Sequence, residues 1–251
     1  MTPLPDLSIQ LYSVRSALTE DLAGTIGRLA AIGLTQVEPF ALLAFADQLK
    51  GPLTDAGLTA PTTHQSLDGE DLDLVFQAAA GLGVNIVIHP FTPAERWRSR
   101  PDVDQLADTL NAAAGRAGEH GLRVAYHNHD WELSTQIDNR CALEVFADQL
   151  DPDVLLEVDT YWAATGGADV PALLGRLGSR VVALHLKDGP LNGNIAEQLP
   201  LGSGDLPAAA IVAAATSVQY PVLEFDDYAG DIFEGIAASY AYATGTLGAV
   251  R

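Results

Sequence analysis

The 251-residue chain has one cysteine, Cys141, and only two lysines, Lys50 and Lys187. A single cysteine forms no intramolecular disulfide, which fits a reducing compartment. Lys plus Arg number 13 against 33 Asp plus Glu, for a net charge of −20. Binding a phosphate backbone needs clustered cations, so nucleic acid is not an expected partner. No uninterrupted apolar run approaches the roughly 18 residues of a membrane span. The N-terminal stretch MTPLPDLSIQ has neither the basic nor the apolar region of a signal peptide. A cytoplasmic location without membrane contact is the expectation. The charged fraction is 18% and the hydrophobic fraction 48%, the composition of a chain with a sizeable core and not of a disordered one.

One pattern recurs along the chain. A helical stretch ends in glycine beside leucine, and a short apolar run follows. Gly33-Leu34 precedes Gln36-Val37-Glu38, and Gly57-Leu58 precedes Thr62-Thr63-His64. Gly83 precedes Ile86-Val87-Ile88-His89, and Gly121-Leu122 precedes Val124-Ala125-Tyr126-His127. Helical spacing of apolar residues marks Leu22 to Ala31 and Val103 to Ala117. Strands are predicted near 7–11, 35–38, 59–64, 85–89, 122–127, 154–159, 181–186 and 221–225. Each is followed by a helix candidate. Eight β-then-α units predict an α/β fold, a single (β/α)8 TIM barrel over residues 1–251. Two long loops interrupt the rhythm, Pro90 to Pro101 and Gly189 to Gly204; the second has the composition of a lid.

In such barrels the active site lies at the C-terminal ends of the strands. Polar residues close every predicted strand: Gln10, Glu38, His64, His89, His127, Asp159, His185 and Glu224. Alternation puts Glu157 on the face of Asp159, Lys187 on that of His185, and Asp226 on that of Glu224. So many acids in one mouth repel one another, and a divalent cation relieves that repulsion.

Three segments carry a family likeness: Tyr126-His127-Asn128-His129, Glu157-Val158-Asp159-Thr160-Tyr161-Trp162 and Leu184-His185-Leu186-Lys187-Asp188. With them the chain resembles the xylose isomerase-like barrel superfamily, in the branch labelled sugar phosphate isomerase/epimerase. The superfamily also holds inosose dehydratases and endonuclease IV. The likeness implies a metal held by a Glu, an Asp, a His and a second Glu from the fifth to eighth strands. Carried over, it points to His127, Asp159, His185 and Glu224 as ligands, with His127 standing where relatives have Glu. Two nitrogens and two oxygens suit Mn, Co, Zn or Fe better than Mg or Ca.

The activity implied is metal-dependent isomerisation or epimerisation of a sugar or sugar phosphate through an enediolate. Glu224, Lys187 and Glu157 are the candidate proton carriers. Gln10, Glu38, His64, His129 and Trp162 are the candidate substrate contacts. Expelling a β-hydroxyl from the same intermediate gives an inosose or 3-keto-sugar dehydratase instead, and both outcomes stay open. An abasic-site endonuclease is disfavoured by the charge and by Trp162, where such relatives carry His. Against all of these stand a non-catalytic sugar-binding barrel and a polar network without metal. Trp97, between Arg96 and Arg98, is a candidate cover for the mouth. A homodimer is the commonest assembly for such a chain.

Overall fold

The computed structural model describes residues 5–249; the first four residues of the N-terminal stretch read above lie outside them. Seven parallel strands form one sheet: β1 (Ser8–Ile9), β2 (Thr62–His64), β3 (Ile86–His89), β4 (Arg123–His127), β5 (Val154–Asp159), β6 (Val181–Leu186) and β7 (Tyr220–Leu223). Around the sheet the order is β1-β7-β6-β5-β4-β3-β2. Residues 36–38 close the gap between β1 and β2 through two parallel bridges, Gln10 with Glu38 and Gln36 with Thr59. The Glu38 N–H donates to the Ile9 carbonyl at 2.8 Å, and the Val37 N–H to the Thr59 carbonyl at 2.9 Å.

The second of the eight predicted strands is thus a bridging segment and not a full ladder. Pro39 ends it and Pro61 interrupts its neighbour; neither has an N–H to extend the pairing. The fold is the expected mixed α/β barrel.

Every residue of β5 and β6 is buried, the pattern of strands covered on both faces. The covering helices begin and end as the sequence dictates. Asp21, Asp71, Asp169 and Asp231 cap helix N-termini with their side chains. The helix Leu22–Ile32 ends at Gly33, whose φ of 113° is left-handed. A Cβ there would also lie 2.7 Å from the Tyr240 hydroxyl, so packing and conformation both demand glycine. Among the described residues no helix is long and apolar enough to cross a membrane.

Trp97 corrects one expectation. It does not cover the mouth; it is fully buried, with its ring centroid 5.4 Å from Tyr126 and 5.2 Å from Phe146. The indole fills apolar space behind β4, which a rim position could not offer. Its flanking arginines point to local carboxylates, Arg96 to Asp68 and Arg98 to Glu95. Trp97→Ala is expected to cost about 3–5 kcal/mol of unfolding free energy. Urea unfolding measures this; a loss below about 1 kcal/mol contradicts the packing role.

Candidate active site

The strand-end side chains form two layers. The inner layer joins Glu38, His64, His127, Glu157 and His185, all buried. Glu157 Oε2 lies 2.6 Å from His64 Nε2, 3.0 Å from His127 Nδ1 and 3.1 Å from His185 Nε2. Glu38 Oε1 sits 2.7 Å from His185 Nε2 and 3.2 Å from His64 Nε2. Gln10 Nε2 donates to the same Glu38 oxygen at 2.9 Å, while its Oε1 accepts from the Tyr12 N–H. Gln10 therefore orients Glu38 and caps the Leu11–Val14 turn, beneath the cavity and not in it.

Burial opposes charge throughout this layer, and the pairing overcomes it selectively. His64 loses stability as an imidazolium through burial, yet the Glu38 and Glu157 carboxylates raise its pKa to about 9. His185 is raised as well, against burial, by Glu157 and Glu224. Burial and the neighbouring His185 hold His127 well below its ordinary value, so it is neutral. Burial would raise Glu38, but His64 and His185 hold it far below the carboxylate range. Burial and Glu38 push Glu157 up, but His185, His64 and His127 bring it below its ordinary value. Two carboxylates thus face two imidazoliums and one neutral ring.

The outer layer is built on Asp159, His185, Lys187, Glu224 and Asp226. Asp159 Oδ1 accepts from the Trp162 N–H at 2.9 Å, capping the Thr160–Thr165 helix and aiming Oδ2 inward. Asn128 fixes the same turn: its Oδ1 accepts from the Asp159 N–H at 3.0 Å. Asp159 Oδ2 is buried and has no aligned hydrogen-bond donor among the described residues. Desolvation lifts this carboxyl to about 6, although Lys187 opposes the rise. Burial would raise Glu224 too, but Lys187 and His185 hold it low.

His185 Nδ1 is 2.5 Å from Glu224 Oε2. Asp159, His185 and Glu224 each offer a ligand atom within 4.8 Å of the others. One imidazole nitrogen, freed when His185 gives up its proton, and two carboxylate oxygens, Asp159 Oδ2 among them, fit a divalent transition-metal ion. His185 is shared with a second group of possible donors. His127 groups with His64, Glu157 and His185 instead, because Glu157 reaches up to its Nδ1. Its Nε2 still faces the outer layer, 3.8 Å from Asp159 Oδ2.

Above both layers opens a cavity of about 490 Å3. Its lining mixes polar residues, His64, His127, Glu224 and Asp226, with the aromatic rings of Tyr12, Phe40 and Phe91. His129 lines it too, stacked on Trp131 with centroids 4.5 Å apart. Trp162 stands behind, 6.4 Å from His129 and 5.8 Å from the Lys187 ammonium. The structure thus brings His64, His129 and Glu224 to the cavity, while Gln10, Glu38, Glu157, Asp159, His185 and Lys187 stay outside its lining.

Residues 26–226 match the family described as xylose isomerase-like TIM barrel. The chain belongs to that family. Among similar solved structures is a sugar phosphate isomerase/epimerase from Parabacteroides distasonis, with 22% identity, TM-score 0.84, and coverage of 99% of this chain and 96% of that one. Another is the IOLI protein with a bound zinc atom, with 12% identity, TM-score 0.71, and coverage of 96% and 98%. Both likenesses concern the fold. An inosose dehydratase from Bacillus cereus is 31% identical over 100 residues, 39% of this chain and 30% of that protein. The match therefore spans less than a third of the curated relative.

Sequence reasoning missed the aromatic residues of the lining and the place of Asp226 in it. A signal for them was present. Tyr12, Phe40, Ser66, Phe91, His129 and Asp226 each stand two residues beyond a strand-end polar residue, and all six line the cavity. A period of two repeats the same face one layer higher.

The raised pKa of His64 sets a pH dependence. The folded imidazolium keeps a proton that the unfolded chain releases near 6.5, so its contribution is complete below 6.5 and lost as pH rises through about 9. Metal-free protein is expected to lose unfolding free energy over that window, and His64→Gln to flatten the loss. Denaturant unfolding at pH 6 and pH 9 checks this; equal slopes in both proteins contradict it.

Proposed function

We propose that the protein is a metal-assisted lyase that removes water from an uncharged keto-polyol such as an inosose or a 3-keto-sugar. The observation that carries this reading is the pairing of one carboxylate, Glu224, with one cationic imidazole, His64, on a single cavity. A divalent ion on Asp159, His185 and Glu224 would polarise a substrate carbonyl and acidify the adjoining C–H. Mn, Co, Zn or Fe matches the nitrogen and oxygen donors.

Glu224, ionised and lining the cavity, removes that proton. His64 holds its Nε2 side on Glu157, and its ring lines the cavity, where it delivers a proton to the departing hydroxyl. Glu38 and Glu157 keep that imidazole charged until the transfer. The aromatic residues Tyr12, Phe40 and Phe91 offer an apolar surface to a polyol ring and exclude water around it.

Charge argues against a phosphorylated substrate. No Lys or Arg is among the described residues that line the cavity, while Glu224 and Asp226 are. Lys187 is buried and faces three carboxylates already. A phosphate ester would meet repulsion without a compensating cation.

Isomerisation is the second reading. Glu224 alone can carry a proton between adjacent carbons on one face of the substrate. Two-base epimerisation lacks its opposing carboxylate, since His127 stands at the fifth-strand position. The 31% identity to an inosose dehydratase favours loss of water.

A panel of inososes, 3-keto-sugars, ketoses and their phosphate esters, assayed with Mn or Co, tests the reading. The expected result is dehydration of an uncharged substrate. In His64→Gln, exchange of the α-proton with solvent deuterium should persist while dehydration falls about 10²–10⁴-fold, the usual worth of a general acid. An isomer formed without water loss, or activity confined to phosphate esters, contradicts it.

A further inference from the structure

Lys187 occupies an unusual place. Its ammonium lies 2.8 Å from Asp159 Oδ2 and 2.7 Å from Glu224 Oε2, two of the three donor atoms assigned to the divalent ion. Neither contact has the alignment of a hydrogen bond, so Asp159 Oδ2 has no aligned donor among the described residues. The aligned bonds of Lys187 run elsewhere, to Asp226 Oδ1 at 3.0 Å and Oδ2 at 2.9 Å. Asp226 is itself held. Gln198 Nε2 donates to its Oδ2 at 2.7 Å, and Gln198 Oε1 accepts from its N–H at 2.8 Å. Gln198 comes from the 189–204 loop and is buried, and a bridge from Asp188 to Leu199 anchors its neighbour.

Two cations cannot share those oxygens. An ammonium and a divalent ion at one pair of carboxylates repel each other at contact distance. Yet the wider cluster has room for both charges. Once His185 turns neutral to offer its ring nitrogen, Asp159, Glu224 and Asp226 set three carboxylates against one ammonium, leaving two negative charges, the charge of a divalent ion.

We propose that Lys187 is a built-in stand-in for the metal, and that Asp226, braced by Gln198, is the berth that keeps the ammonium when an ion takes Asp159 and Glu224. The inference rests on Asp159, His185 and Glu224 being the ion's donors. Without metal, Lys187 neutralises the acids that would otherwise drive the ligand shell apart. With metal, it gives up its two unaligned contacts and keeps its two aligned ones. Asp226 and Gln198 then govern metal affinity without touching the ion, and the loop that carries Gln198 is coupled to metal loading.

Calorimetric titration of Mn into the metal-stripped full chain tests this. Gln198→Leu alters no charge and should weaken Mn binding several-fold; Asp226→Asn should weaken it about tenfold. Lys187→Met should tighten Mn binding and lower the melting temperature of the metal-free protein more than that of the Mn-loaded protein. The decisive pair is each berth substitution in the Lys187→Met background, where it should no longer affect Mn affinity. If Lys187→Met does not fold, the Gln198→Leu titration decides alone. Unchanged affinity in Gln198→Leu, or berth effects that persist without the lysine, overturn the proposal and leave the donor assignment standing. No Mn binding by the wild type overturns both.

Discussion

Four carboxylates, Glu38, Glu157, Asp159 and Glu224, are buried inside one barrel, and every other feature of the site answers to them. An isolated buried carboxylate costs several kcal/mol, so each must find a cation or a proton. His64 and His185 answer the inner pair, and Lys187 answers the outer pair. His127 stays neutral between them. This distribution explains why a chain with only two lysines keeps one at the end of a central strand. It also explains how His127 is accommodated: a carboxylate there would add one more negative charge to a cluster whose acids already outnumber its cations.

The barrel turns this electrostatic arrangement into a site through a period of two. A strand-end residue points into the floor, and the residue two further along points into the rim. Glu38 and Phe40, His127 and His129, and Glu224 and Asp226 each share this relation. The floor sets charge, while the rim sets shape and surface. The rim combines the aromatic rings of Tyr12, Phe40 and Phe91 with the polar side chains of His129 and Asp226.

Much of this was legible in the sequence because barrel order and strand alternation are local properties. Glycines after helices and polar residues after apolar runs located the strand ends to within a residue or two. The aromatics Tyr12, Phe40 and Phe91 stand at the same offset, but an aromatic in a loop carries no local mark of the cavity it lines. The stretch at 35–38 reads as a strand because it follows a helix closed by Gly33; the prolines beside it, Pro39 and Pro61, limit it to a bridging segment. Trp97 shows the limit of composition: an indole between two arginines looks like a rim, while its burial depends on space behind β4 that no local pattern reveals. Gln198 left no signal, since its role arises from a loop folding back onto Asp226 across 28 residues. The grouping of His127 with Glu157 instead of with Asp159 alone was also beyond reach, because it depends on the depth of Glu157 in the barrel.

The central claim is that the outer acids are arranged for a divalent ion and not merely for a lysine. Equilibrium dialysis of the metal-stripped chain and of Asp159→Asn against Mn measures it most directly. One ion bound per wild-type chain and none by Asp159→Asn, with both proteins folded, is the result this account predicts. Equal binding by the two, or none by either, would contradict it.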